Sequence, residues 1–200
     1  MSFAALALAV SAVGPFDRAT WALEVAPVVI GLVVLGATYA RFPLTALAYR
    51  LLAFHAVILI VGGYYTYARV PVGFAVQDLF DFERNHYDRF AHVVQGFVPA
   101  IVVRELLLKT SPLVRGFWLR IIVTSVCLAF SALYELLEWA TAVLFGDGAV
   151  EFLGTQGDPW DAQWDMFLAL LGAILAQLTL ARPHDRELRA LRLAGAARPP

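Results

Sequence analysis

Apolar residues run along this chain in long blocks separated by short polar stretches. Trp21–Tyr39, Leu44–Tyr65, Phe90–Leu108 and Ile121–Phe145 are each long enough to cross a bilayer core as a helix, which takes about 20 residues. A fifth block, Met166–Ala181, is shorter, but Trp160 and Trp164 extend it through the interface. Met1–Val13 is apolar, short for a span, and lacks the basic start of a signal peptide. Counting it gives six spans, and leaving it out gives five. The pattern predicts an all-α polytopic transmembrane helix bundle of about six spans, with five as the alternative. It forms one domain over 1–182, followed by an Arg-rich tail over 183–200 that is either a short surface helix or disordered.

Pro and Gly mark the ends of these blocks. Pro71 and Gly73 are expected to break the chain after the Leu44–Tyr65 helix, Pro112 follows the Phe90–Leu108 helix, and Gly146 and Gly148 end the Ile121–Phe145 helix. Gly157–Trp160 reads as a turn into the last helix, with Asp158 as its N-cap and Pro159 at its first position. Composition agrees: 60% of residues are hydrophobic and 16% charged, which excludes an ordinary water-soluble domain. The single cysteine, Cys127, leaves no internal disulfide and no thiolate metal site. There is no basic patch interleaved with aromatics, so nucleic acid is not an expected partner.

Charge sorts by side. Eleven of the fifteen basic residues fall in the segments around Arg41 and Arg50, from Arg104 to Arg120, and from Arg182 onward. An alternating topology puts these three segments on one face, and the positive-inside rule makes that face, with the C-terminus, cytoplasmic. The outer face then holds most of the acids.

Several acids lie within the spans. At 1.5 Å per residue, Glu135 and Glu138 lie about 22 and 27 Å from Arg120, in the outer third of a core about 30 Å thick. The fourth helix enters from that side, with Asp88 at the interface, His92 one turn deeper and Gln95 a further turn-mate. Asp158, Asp161 and Asp165 follow at helical spacing at the start of the last helix. An acid inside a bilayer costs about 2.5–3.5 kcal/mol on insertion scales, so such groups turn inward and find partners. Packed together, these carboxylates repel unless a proton, a cation or a basic partner such as His92 or Arg89 intervenes. Asp88, His92, Glu135, Glu138 and Asp165 are therefore the candidate catalytic set. His92, Glu135, Asp161 and Asp165 are the candidate ligands of a divalent metal such as Mg, Mn or Zn, and Arg89, Gln95 and Asp158 support them. Structural readings compete. Glu135 and Glu138 could only fix helix register, Asp158 only cap, His55 only pack, and Gly62–Gly63 only let helices approach. Asp78, Asp81 and Glu83 read as a solvated loop face.

The stretches "YTYARVPVGF", "DFERNHYDRFAHVVQGFVPAI", "ALYELLEW" and "GTQGDPWDAQWDMFLALLGAI" resemble the bacterial inner-membrane family named after YjdF, a domain of unknown function. The resemblance covers the chain from the second helix onward and implies a multi-pass inner-membrane protein. A more distant similarity is to VanZ-like membrane proteins, one of which is associated with glycopeptide resistance. Their pattern is matched by Asp88 with Arg89 and His92, by Glu135 or Glu138, and by Asp165 with Gly172. The chain departs from it at Ala169, where that pattern has Asn, and at Arg89, where it has Lys.

Three functions fit these residues. The first is an enzyme or binding protein for an envelope lipid or other amphiphile, with a polar, metal- or headgroup-binding site open to the outer leaflet. The second is a small proton-coupled transporter, since carboxylates on spans mark ion paths; against it, the acids gather at one end and not at the midplane where carriers bind. The third is an accessory protein whose carboxylates clasp helices. No nucleophile motif selects a reaction.

Overall fold

Every long apolar block becomes a helix, because in lipid only a helix or a closed barrel satisfies its own backbone. The computed structural model describes residues 2–145 and 155–196. The helices are α1 (Ser2–Ser11), α2 (Arg18–Thr38), α3 (Ala46–Tyr65), α4 (Pro71–Phe80), α5 (Tyr87–Thr110), α6 (Phe117–Phe145) and α7 (Asp161–Ala196), with a 3₁₀ turn at Tyr67–Arg69. No strand occurs among the described residues. Five of these helices, α2, α3, α5, α6 and α7, are long and apolar enough to cross a membrane. The sixth expected span is the ten-residue α1, which rises only about 15 Å, half the hydrocarbon thickness. The expected helix end at Gly146 and Gly148 lies outside the described residues.

Helix α5 is the central element, packed against α3, α6 and α7. Its tightest neighbour is α7. A Cβ at Gly96 would stand 1.8 Å from the Ala169 carbonyl oxygen, and one at Gly172 would stand 2.1 Å from that of Val93. Only glycine lets the two backbones meet in this way, the usual means of helix association in lipid. Ile101, Leu119, Val123, Ala173 and Ala176 build the core beside that contact. The Gly62–Gly63 pair also serves close packing, Gly62 beneath the Tyr67 ring and Gly63 against Glu24 of α2.

Two expectations change. Pro71 starts a helix and does not break the chain: it occupies the first turn of α4, where its missing N–H is no loss. Helix α4 exposes Leu79 and Phe80, an apolar face suited to the membrane interface. The chain beyond Pro183 continues α7, and His184 and Leu188 are buried. Ion pairs anchor it there: Asp185 to Arg104 and Arg115, each at 2.8 Å, and Glu187 to Arg50 at 2.8 Å. Glu187 also accepts from the Leu47 N–H at the start of α3, and Glu105 from Thr45, so two carboxylates meet the positive end of that helix.

Candidate functional site

The end of the bundle opposite these arginines carries the acids. Asn85 sets the entry of α5 there: its Oδ1 accepts the Tyr87 N–H, and its Nδ2 donates to the Val70 carbonyl. The Gln156 side chain, on a left-handed residue (φ 47°), accepts the Asn85 N–H and donates to its carbonyl. Two segments distant in sequence are thus tied where α5 begins.

Below that tie, His92 Nε2 lies 3.5 Å from Asp88 Oδ1, 3.9 Å from Glu135 Oε1 and 3.9 Å from Asp165 Oδ2. The four residues come from α5, α6 and α7. Asp88, His92 and Asp165 each offer a ligand atom within 4.8 Å of the others. Glu135 Oε1, Asp165 Oδ1 and His92 Nδ1 are buried without a hydrogen-bond partner. A buried polar atom left unpaired costs about 1–3 kcal/mol, more if charged, so this grouping is expensive as it stands.

Other expected residues lie apart. Asp161 pairs with Arg84 at 2.7 Å, and Asp158 pairs with Arg89 and lies 3.6 Å from Arg84. Asp158 also accepts the Trp160 N–H, near the start of the last helix. Arg89 sits over the Trp164 ring, so its charge goes to Asp158 and the aromatic face. Asp161 and Arg89 therefore make an outer layer of ion pairs above His92. Burial and the Arg84 and Arg89 charges push the pKa of His86, beside this layer, below its ordinary value.

Glu138 points elsewhere. With Gln95, Asp88 and His92 it lines a cavity of about 270 Å³ whose far wall is Glu24 of α2. Glu24 is 3% exposed and accepts from the Tyr134 hydroxyl at 2.7 Å. Glu24 is not among the residues expected at the site, although a carboxylate inside the Trp21–Tyr39 run carries the same signal that singled out Glu135. Tyr67, another wall residue, lies under Gly62, and burial together with the Glu24 charge raises its phenol well above the usual tyrosine range.

Sequence comparison matches this architecture. A family model described as "Predicted membrane protein (DUF2238)" matches residues 1–186. The chain belongs to that family. It is 50% identical over 190 residues to the inner membrane protein YjdF of Escherichia coli (strain K12), covering 92% of this chain and 88% of that protein. Family membership places it in the bacterial inner membrane as a multi-pass protein. No solved structure matches.

Proposed function

We propose that this protein holds a divalent cation between Asp88, His92, Glu135 and Asp165, near the outer face of the inner membrane, and through it engages the headgroup of an envelope amphiphile. The observation that carries this reading is the pair of buried, unpartnered oxygens, Glu135 Oε1 and Asp165 Oδ1, around one imidazole. Carboxylate oxygens with one imidazole make a donor set that Mg, Mn or Zn accepts. A cation there would polarise a bound headgroup oxygen, which serves binding and hydrolytic chemistry alike. The outward placement rests on the Arg-rich opposite end.

The clasp reading is weakened by the glycine contacts, because α5 and α7 already meet backbone to backbone at Gly96 and Gly172 without the carboxylates. A carrier reading finds no such support at the Arg-rich end, where His184, Glu105, Arg104 and Asp185 are engaged with one another.

The test is calorimetric titration of purified, metal-stripped full-length protein with Mn, Zn and Mg, together with thermal melts. One equivalent of metal should bind and raise the melting temperature. Asp165→Asn should weaken binding at least about tenfold without lowering the metal-free melting temperature, since it removes an unpaired buried charge. No binding by any of the three metals, with Asp165→Asn less stable than the parent, would hand the site to the clasp.

A further inference from the structure

We infer that the headgroup of this amphiphile carries a cationic amine beside the oxygen that the metal would meet, its ammonium between Glu24 and Glu138 and its hydrocarbon chain in the cleft between α2 and α3. Two cavities meet in the molecule. The carboxylate-lined one, about 270 Å³, and a larger one of about 470 Å³ share Pro27, His55 and Leu59 as walls. Both volumes are in the range of, or close to, small-molecule sites.

Carboxylates outnumber bases in the walls of the smaller room, where His92 and His55 are the basic side chains among the lining residues. Glu24, Asp88 and Glu138 line it, with no Lys or Arg among its lining residues. It also favours donors over acceptors. Pro27 and Pro99, both in its wall and both inside helices, have no N–H to give, so the carbonyl of Gln95, another wall residue, loses its helical donor. An ammonium brings three donors and a positive charge and has no acceptor. His92, 6% exposed and with Nδ1 unpartnered, and His55, whose Nε2 has no partner, line it as well, with Gln95, Tyr67 and Tyr134.

The larger room suits a chain. It runs along α2 from Pro27 past Gly31 and Leu35 to Tyr39, a rise of about 18 Å, and the Tyr39 and Tyr49 rings, 5.9 Å apart, stand at its foot. Toward the acidic end the two helices close on each other, where Gly63 meets Glu24 and Val25. An alkyl chain in this cleft lies along the helices with its head at the carboxylates, the direction a lipid already has in that leaflet.

The inference rests on the amphiphile reading above and shares Asp88 and His92 with the metal ligands, but Glu24, Glu138 and Gly31 belong to it alone, so the two can fail separately. The experiment measures binding of radiolabelled hexadecylamine, hexadecanol and hexadecyl phosphate to the full-length protein in a neutral maltoside detergent. Hexadecylamine should bind saturably and at least about tenfold tighter than the other two. Glu138→Gln should remove most of that preference, and Glu24→Gln, which can still accept from Tyr134, gives the same measurement on the opposite wall. Gly31→Phe should weaken all chain binding at least about tenfold. A Cβ at Gly31 meets nothing within 4 Å, so the backbone there accepts a side chain, and an unchanged metal titration and melting temperature should show that the variant keeps the fold. Equal binding of hexadecanol or the phosphate, or unchanged binding in Gly31→Phe, overturns the inference. Loss of metal binding with the amine preference intact overturns only the cation.

Discussion

His184 Nδ1 lies 2.9 Å from the Arg104 guanidinium, which can only donate, so the imidazole accepts there and its Nε2 proton goes to Glu105 at 3.0 Å. That fixes a neutral tautomer in a group with no exposed surface. Glu105 is fully buried and also takes Lys109 and Thr45, so its charge is compensated on every side. His92 stands in the opposite situation, with more carboxylates than it can satisfy and one ring nitrogen unpartnered. The contrast separates a packed polar joint from a site. Glu105→Ala should destabilise the protein by about 3–5 kcal/mol, the cost of breaking a compensated buried network, as read from reversible unfolding in mixed micelles. Asp88, His92 and Gln95 were legible in the sequence because helical spacing puts them on one face. Whether Glu135 or Glu138 faced inward was not, since about 60° of rotation separates them, and the structure gives each its own partner wall.

Helices α5 and α7 form the element on which the site depends, because their backbone contact sets how far Asp165 sits from His92. Gly96→Ala should cost at least about 1–3 kcal/mol through overpacking against backbone that cannot turn aside. It should also weaken metal binding, although Gly96 touches none of the proposed ligands; unchanged metal affinity would separate the helix contact from the site. At the start of α2, Asp17 accepts the Thr20 N–H at 2.7 Å, and that bond lowers its pKa below the ordinary 3.8. The unfolded chain then binds this proton first, so the cap contributes fully above pH 3.8 and is lost as pH falls through the lower folded value. Melts from pH 6 to pH 3 should show this loss, and Asp17→Ala should flatten it while costing about 0.5–2 kcal/mol at neutral pH. The helical course of α4 was hidden by Pro71 and Gly73, which read as breakers. Proline at a first turn is a start signal only when the following segment has a surface to lie on, and here Gly73 packs against the buried Asn85 side chain.

For the whole molecule, the positive-inside pattern and the acid cluster at the other end predict one orientation, with the C-terminus cytoplasmic. A green fluorescent protein fused after Pro200 should fluoresce and an alkaline phosphatase fused there should be inactive; the reverse pair would turn the proposed site toward the cytoplasm. The amino-acid sequence by itself determined that the chain is a membrane helix bundle, because about twenty apolar residues in a row have no other stable form in lipid. It also determined that Asp88, His92, Glu135 and Asp165 share a depth, because helix rise converts residue number into distance. It could not place those residues around one another, since rotation and tilt of each helix are set by neighbours such as the Gly96 and Gly172 contacts. Only the tertiary structure decided that Asp161 and Arg89 belong to an outer layer of ion pairs, that Glu24 faces Glu138 across a cavity, and that the Arg-rich segment beyond Pro183 buries His184. Each of those facts depends on side chains from different helices meeting, and periodicity along one helix carries no information about its partner.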